Sequence, residues 1–115
     1  METTTSNSLV IVNDQTKEST KLDFVAIKSA AMTLRAINHK LRQQIVKLLD
    51  ENNRMNVTDI YVKLRLEQSV ASQHLAILRR ANIVITDRDG KFIHYKLNYE
   101  KLTDVSKFVA DLVKK

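Results

Sequence analysis

The 115-residue chain contains no cysteine, no proline, no tryptophan and a single glycine. Without cysteine it has no disulfides, no thiolate metal ligands and no thiol redox chemistry. One glycine excludes a glycine-rich phosphate loop. No apolar run approaches the ~20 residues that cross a bilayer, and the chain does not open on a charged segment followed by an apolar one, so a cytoplasmic protein with no membrane contact is expected. The three histidines, His39, His74 and His94, have no nucleophile or carboxylate at a catalytic spacing, and no enzyme is expected. What is present is 43% hydrophobic residues, enough for one mostly helical domain with a real core.

The net charge of +6 understates the basic character of the folded part. Residues 1–20 carry Lys17 against Glu2, Asp14 and Glu18, whereas residues 21–115 hold 18 Lys and Arg against 10 Asp and Glu, a net +8. Basic charge at this density attracts a polyanion. It also serves solubility, so charge alone does not name the partner.

Residues 66–84 are the most informative segment. At about 100° per residue, Val70, Ala71, His74, Leu75, Ile77, Leu78 and Ala81 fall on one side of a helix, and Gln68, Ser69, Ser72, Gln73, Ala76, Arg79 and Arg80 on the other. Short hydrogen-bonding side chains allow close approach to base edges, and arginines at the far end reach phosphate oxygens. An ordinary solvated face has the same periodicity, so the neighbouring segments decide. Just before lies a short helix pattern, Val57, Ile60, Tyr61 and Leu64, with Thr58 placed to cap it. Two short helices of this kind make a helix-turn-helix. Just after, two β-rich runs flank Asp89-Gly90, both of which tolerate positive φ, and read as a hairpin or wing. His74 lies among apolar positions and is expected to pack and hydrogen-bond locally, whereas His94 alternates with Phe92 and Lys96 on the outer strand face, next to solvent.

Outside this motif the organisation is simple. Residues 1–19 read as a mobile arm, apart from the apolar patch Leu9-Val10-Ile11-Val12, which could instead form a strand against a partner. Residues 20–115 form the folded domain. A helix is expected from Thr20 to about Ile37 with Leu22, Val25, Ala26, Ser29, Met32 and Ala36 on one face. A second is expected from about Asn38 to Glu51, burying Leu41, Ile45, Leu48 and Leu49. Asn98 suits the N-cap of a last helix to about Lys114, whose apolar face holds Leu102, Val105, Phe108, Val109, Leu112 and Val113. A domain this small has little core to cover both terminal faces, which points to a partner subunit as well as to intramolecular packing.

From about Ala36 to Leu97 the chain resembles the winged helix-turn-helix of the ArsR/SmtB family of small bacterial repressors. That family's pattern Leu-Ser-Gln-Ser-x-Val-Ser-x-His-Leu-x-x-Leu-x-x-Ala-Gly-Leu-Val is matched in register by Leu66, Gln68, Ser69, Ser72, His74, Leu75, Leu78, Ala81 and Val84. Glu67, Ala71 and Asn82 depart from it: Glu67 weakens the cap and brings a carboxylate near DNA, while Asn82 still tolerates the left-handed conformation of a helix end.

The resemblance implies a mainly α fold with a small β-hairpin: a winged helix-turn-helix flanked by N- and C-terminal dimerisation helices. It implies a homodimeric, sequence-specific repressor of transcription on double-stranded DNA. Gln68, Ser69, Ser72 and Gln73 would read the major groove, Arg79 and Arg80 would touch phosphate, and Arg88 and Lys91 would place the wing. Leu22, Val25, Met32, Leu102, Val105, Phe108, Val109 and Leu112 would form the dimer interface. Relatives bind metal through Cys-x-Cys or through Asp and His on the last helix; here those positions carry Asn56 and Thr58, and Tyr99, Lys101, Leu112 and Lys115, which make no usual ligand set. No metal and no cofactor are expected, which leaves an unidentified small-molecule or protein effector, or a response to concentration alone. The rival reading is a winged-helix module that uses the same polar helix face on a protein.

Overall fold

The computed structural model describes residues 7–114; the first six residues of the expected arm and Lys115 lie outside the described residues. The elements run β1 (Ser8–Val12), β2 (Ser19–Asp23), α1 (Phe24–Ile37), α2 (Lys40–Asn52), β3 (Met55–Asn56), α3 (Val57–Leu64), α4 (Gln68–Arg80), β4 (Val84–Asp89), β5 (Phe92–Leu97) and α5 (Tyr99–Leu112). The chain divides into two compact units at residues 32 and 33, within α1.

The first unit corrects the helix expected from Thr20. Residues 19–23 are strand, paired antiparallel with β1 in the register Ser8↔Asp23 to Val12↔Ser19. Leu22 therefore stands opposite Leu9 in a hairpin and not on the helix. Its spacing from Val25, Ala26 and Ser29 mimicked a helical face. The helix starts at Phe24 because the Asp23 carboxylate accepts hydrogen bonds from the Val25 and Ala26 amides, both at 3.1 Å. The apolar patch at residues 9–12 is a strand, and its partner is this chain's own β2.

The second unit is built on a core of Ile45, Leu48 and Leu49 from α2, Met55 from β3, Ile60 from α3, Leu75 and Leu78 from α4, and Ile83, Val84 and Leu97 around the wing. These residues come from helical and strand periods that each bury one face, as in layered small domains. Helix α2 starts at Lys40, with the His39 side chain accepting from the Leu41 amide as its N-cap. Helix α3 is capped by Asn56, whose Oδ1 accepts from the Asp59 amide at 2.8 Å; Thr58, the expected cap, lies inside the first turn. Asn98 caps α5 as expected, through the Lys101 amide.

The wing is a three-stranded sheet in the order β3-β5-β4. Its turn residues are Gly90 and Lys91 with Asp89 paired to Phe92, and only Gly90 has positive φ, +61°, at the position where a II′ turn uses glycine. Asp89 is thus the last ladder residue and not a turn centre. Because β3 pairs on its other side, β5 is central, and His94 stands between Asn56 and Asp87. The expected solvated His94 is instead half-buried, with its Nδ1 fully covered and unbonded among the described residues.

Candidate nucleic-acid interface

Helix α4 separates its two faces as its periodicity predicts. Ala71, Leu75 and Leu78 are fully buried, while Gln68, Ser69, Ser72, Gln73, Arg79 and Arg80 are all exposed. Truncating such a buried side chain costs about 2–5 kcal/mol, so the buried face holds the helix and leaves the polar one facing outward. Glu67 occupies the N-cap and makes no capping hydrogen bond with its side chain, as its replacement of serine implied. The far end closes on a six-to-one motif: the Ile83 amide bonds the Leu78 carbonyl and the Asn82 amide the Arg79 carbonyl, with Asn82 at φ 61°.

The turn before α4 closes in the same way. The Leu66 amide bonds the Tyr61 carbonyl and the Arg65 amide the Val62 carbonyl, with Arg65 at φ 57°, ψ 48°. An arginine in this left-handed conformation costs ~1 kcal/mol that glycine would not. These two closures fix where α4 begins and ends relative to α3 and the wing.

A third restraint was not foreseen. Arg42, on α2, is only 8% exposed. Its Nε donates to the Ala36 carbonyl at 2.6 Å, one terminal nitrogen to the Arg35 carbonyl at 3.1 Å, and the other lies 3.2 Å from His74 Nδ1. The free carbonyls at the end of α1 carry the negative pole of that helix and stabilise the cation without a carboxylate. His74, on the core side of α4, thereby accepts a hydrogen bond from Arg42 of α2, with the His39 ring 4.9 Å away. Burial, and then the charges of His39 and Arg42, hold the His74 imidazole below its ordinary pKa, so the neutral form that can accept is favoured. His74 packs and bonds locally, as expected, and Arg42 is what it bonds.

Arg88 and Lys91 are exposed on the wing, and Arg54 pairs with Asp87 at 2.9 Å and with Asp89 at 3.5 Å. Arg79, Arg80, Arg88 and Lys91 form no ion pairs among the described residues. Between the second half of α4 and the wing, an open groove of about 490 Å³ is lined by Ser72, Ala76, Arg79, Arg80, Asn82 and Tyr95. The structure thus brings the four polar residues of α4 and its two arginines onto one surface, with the two wing cations on the adjoining hairpin.

Of the residues expected at a dimer interface, Val25, Met32, Phe108 and Leu112 are exposed, while Leu22, Leu102, Val105 and Val109 are half-buried. Asn56 caps α3, and the Tyr99 hydroxyl donates to Asp50 at 2.7 Å, a bond that raises the pKa of the phenol. Among the described residues no three His, Cys, Asp or Glu side chains cluster, and no helix is long and apolar enough to cross a membrane.

Residues 39–86 match the profile described as bacterial regulatory protein, arsR family. The chain is 32% identical over 89 residues to the transcriptional repressor PagR of Bacillus anthracis, covering 77% of this chain and 89% of PagR. The crystal structure of PagR aligns with a TM-score of 0.62 at 31% identity, over 76% of this chain and 99% of that one. The transcriptional regulator HlyU of Vibrio vulnificus CMCP6 aligns with a TM-score of 0.58 at 33% identity, over 76% and 91%. With the helix-turn-helix, the wing and an outward polar face on α4 in place, these matches make the chain a member of the ArsR family of DNA-binding transcriptional regulators.

Proposed function

We propose that the protein is a dimeric repressor whose two copies of α4 enter successive major grooves of an operator. The observation that carries this reading is the polar face of α4, where Gln68, Ser69, Ser72, Gln73, Arg79 and Arg80 are all exposed while Ala71, Leu75 and Leu78 on the opposite side are fully buried. Gln68, Ser69, Ser72 and Gln73 read base edges, Arg79 and Arg80 bond phosphates, and Arg88 and Lys91 hold the wing against the backbone or minor groove. In the first unit Leu22, Val25 and Met32, and in the second Leu102, Val105, Phe108, Val109 and Leu112, each offer apolar side chains to the second subunit. Support for repression comes from PagR, whose name states that role. Support for DNA over a protein partner comes from the family, whose members bind double-stranded DNA and typically act as dimers.

No response to a transition metal is expected. With no cysteine, and with Asn56 and Tyr99 engaged in structural hydrogen bonds, the donor sets that sense metal are missing. The input is an organic ligand, a protein partner or the concentration of the regulator itself.

Selection of bound sequences from random double-stranded DNA tests the reading. The expected result is a two-fold repeated half-site with centres roughly 34–36 Å apart, one helical turn. Recovery of a single unrepeated half-site by a monomeric protein, or of no sequence at all, contradicts it.

A further inference from the structure

We propose that the N-terminal hairpin is a second dimer contact, in which β1 pairs edge to edge with β1 of the partner subunit about a two-fold axis through Val10. This rests on the dimer reading above and adds a contact to it. It begins with a hairpin that cannot bury its own apolar side chains. Leu9, Val10, Ile11 and Val12 are between 45% and 58% exposed. In the rest of its unit Phe24, Val25, Ile27 and Met32 are exposed too. A lone two-stranded hairpin is marginal in water, and additional strands or a packed face are what stabilise one.

Among the described residues the outer edge of β1 pairs with no other strand, and the backbone fixes its register. The Phe24 amide bonds the Asn7 carbonyl and the Asn13 amide the Glu18 carbonyl, at the two ends of the ladder. Hydrogen-bonded pairs alternate in an antiparallel ladder, so Leu9 and Ile11 turn their N–H and C=O groups toward β2. Ser8, Val10 and Val12 turn theirs outward. A two-fold axis at Val10 then sets the outward groups of residues 8, 10 and 12 against those of residues 12, 10 and 8 of the partner subunit. Every pair exchanges two bonds, and Leu9 meets Ile11 of the partner subunit on the shared face.

Charge selects β1 over β2 for this role. Strand β1 is Ser-Leu-Val-Ile-Val, with no charge to repel its own copy. The outward groups of β2 belong to residues 19, 21 and 23, so the same operation there would set Lys21 against Lys21 of the partner subunit and would engage Asp23, which caps α1. Like charges directly opposite destabilise a pair, and natural sheets guard an edge in that way. The unguarded, self-complementary edge is the one that accepts a second copy.

A cysteine-free chain makes the test direct. In a hydrogen-bonded pair the two Val10 Cα atoms lie about 5.5 Å apart, within disulfide reach. Full-length Val10→Cys protein, oxidised at micromolar concentration, is expected to run mostly as a covalent dimer on a non-reducing gel. Gln15→Cys, in the hairpin loop, places its thiols roughly 30 Å apart in this arrangement and is expected to stay uncrosslinked. Val10→Lys, which puts like charges face to face, is expected to weaken the dimer about tenfold by sedimentation. Both positions are exposed, and circular dichroism checks that each variant is folded. If the unmodified protein is a dimer but Val10→Cys stays single, or crosslinks no better than Gln15→Cys, the hairpin contact is wrong and the dimer reading stands. If the unmodified protein is a monomer at these concentrations, both fall.

Discussion

Helices α4 and α5 are nearly equal in length, 13 and 14 residues, and each has an apolar face. Their surroundings differ. Helix α4 fully buries Ala71, Leu75 and Leu78, whereas α5 buries no residue completely and leaves Phe108 46% and Leu112 65% exposed. One chain thus completes the support of the recognition surface but not the cover of the last helix. The outward face of α4 is set by folding alone, whereas α5 keeps apolar side chains uncovered.

The comparison breaks if changes on the two helices have the same effect. The largest expected effect is that of Leu75→Ala, which should cost about 2–5 kcal/mol of unfolding free energy, because Leu75 is fully buried in one core with residues of α2 and α3. Chemical denaturation of the protein measures it; a cost near zero would show that α4 is not packed as described. The double change Phe108→Asp with Leu112→Asp should leave the fold intact and weaken dimerisation at least about tenfold, seen by sedimentation equilibrium. Equal losses of fold and dimer would make α5 a core helix after all.

The clamp at His74 sharpens the comparison through pH. Because the folded imidazole binds its proton less readily than the unfolded one, protonation favours the unfolded chain as pH falls below about 6.5. The stability lost in this way should level off once the pH is below the folded pKa. His74→Gln, which cannot titrate, should flatten this part of the stability profile between roughly pH 7 and 5. Thermal melts of both proteins across that range decide it, and identical profiles would mean that another group carries the pH dependence. The smallest effect belongs to the turn: Arg65→Gly should stabilise the fold by up to ~1 kcal/mol through relief at φ 57°. A loss of stability there would mean that the arginine side chain holds the turn.

The parts of α4 legible in the sequence were those set by local period. Gln68, Ser69, Ser72, Gln73, Arg79 and Arg80 are exposed and Ala71, Leu75 and Leu78 buried as the period predicts, whereas Ala76 on the polar side and Val70, His74, Ile77 and Ala81 on the apolar side are half-buried; Asn98 and Asn82 adopt the cap and the left-handed position their chemistry favours. What was not legible depends on distant partners. Nothing in the local pattern marks Arg42, whose acceptors are two backbone carbonyls and a histidine 32 positions away. The two-residue β3 has no pattern of its own, yet it makes β5 central and covers His94. The sequence does not reveal β2, because Ser-Thr-Lys-Leu-Asp carries one apolar residue, too few to distinguish a strand from a helix start.

The central claim, that the outward face of α4 reads sequence while the wing only holds the backbone, is tested most directly by measuring operator and scrambled-DNA affinities across a salt series. The proteins needed are the unmodified one, Gln73→Ala and Arg88→Ala. Gln73→Ala should lose about 1–3 kcal/mol on the operator and little on scrambled DNA, with its salt slope unchanged. Arg88→Ala should weaken both DNAs alike and reduce the salt slope by about one. Uniform losses for both variants, or none for either, would contradict the assignment of that face.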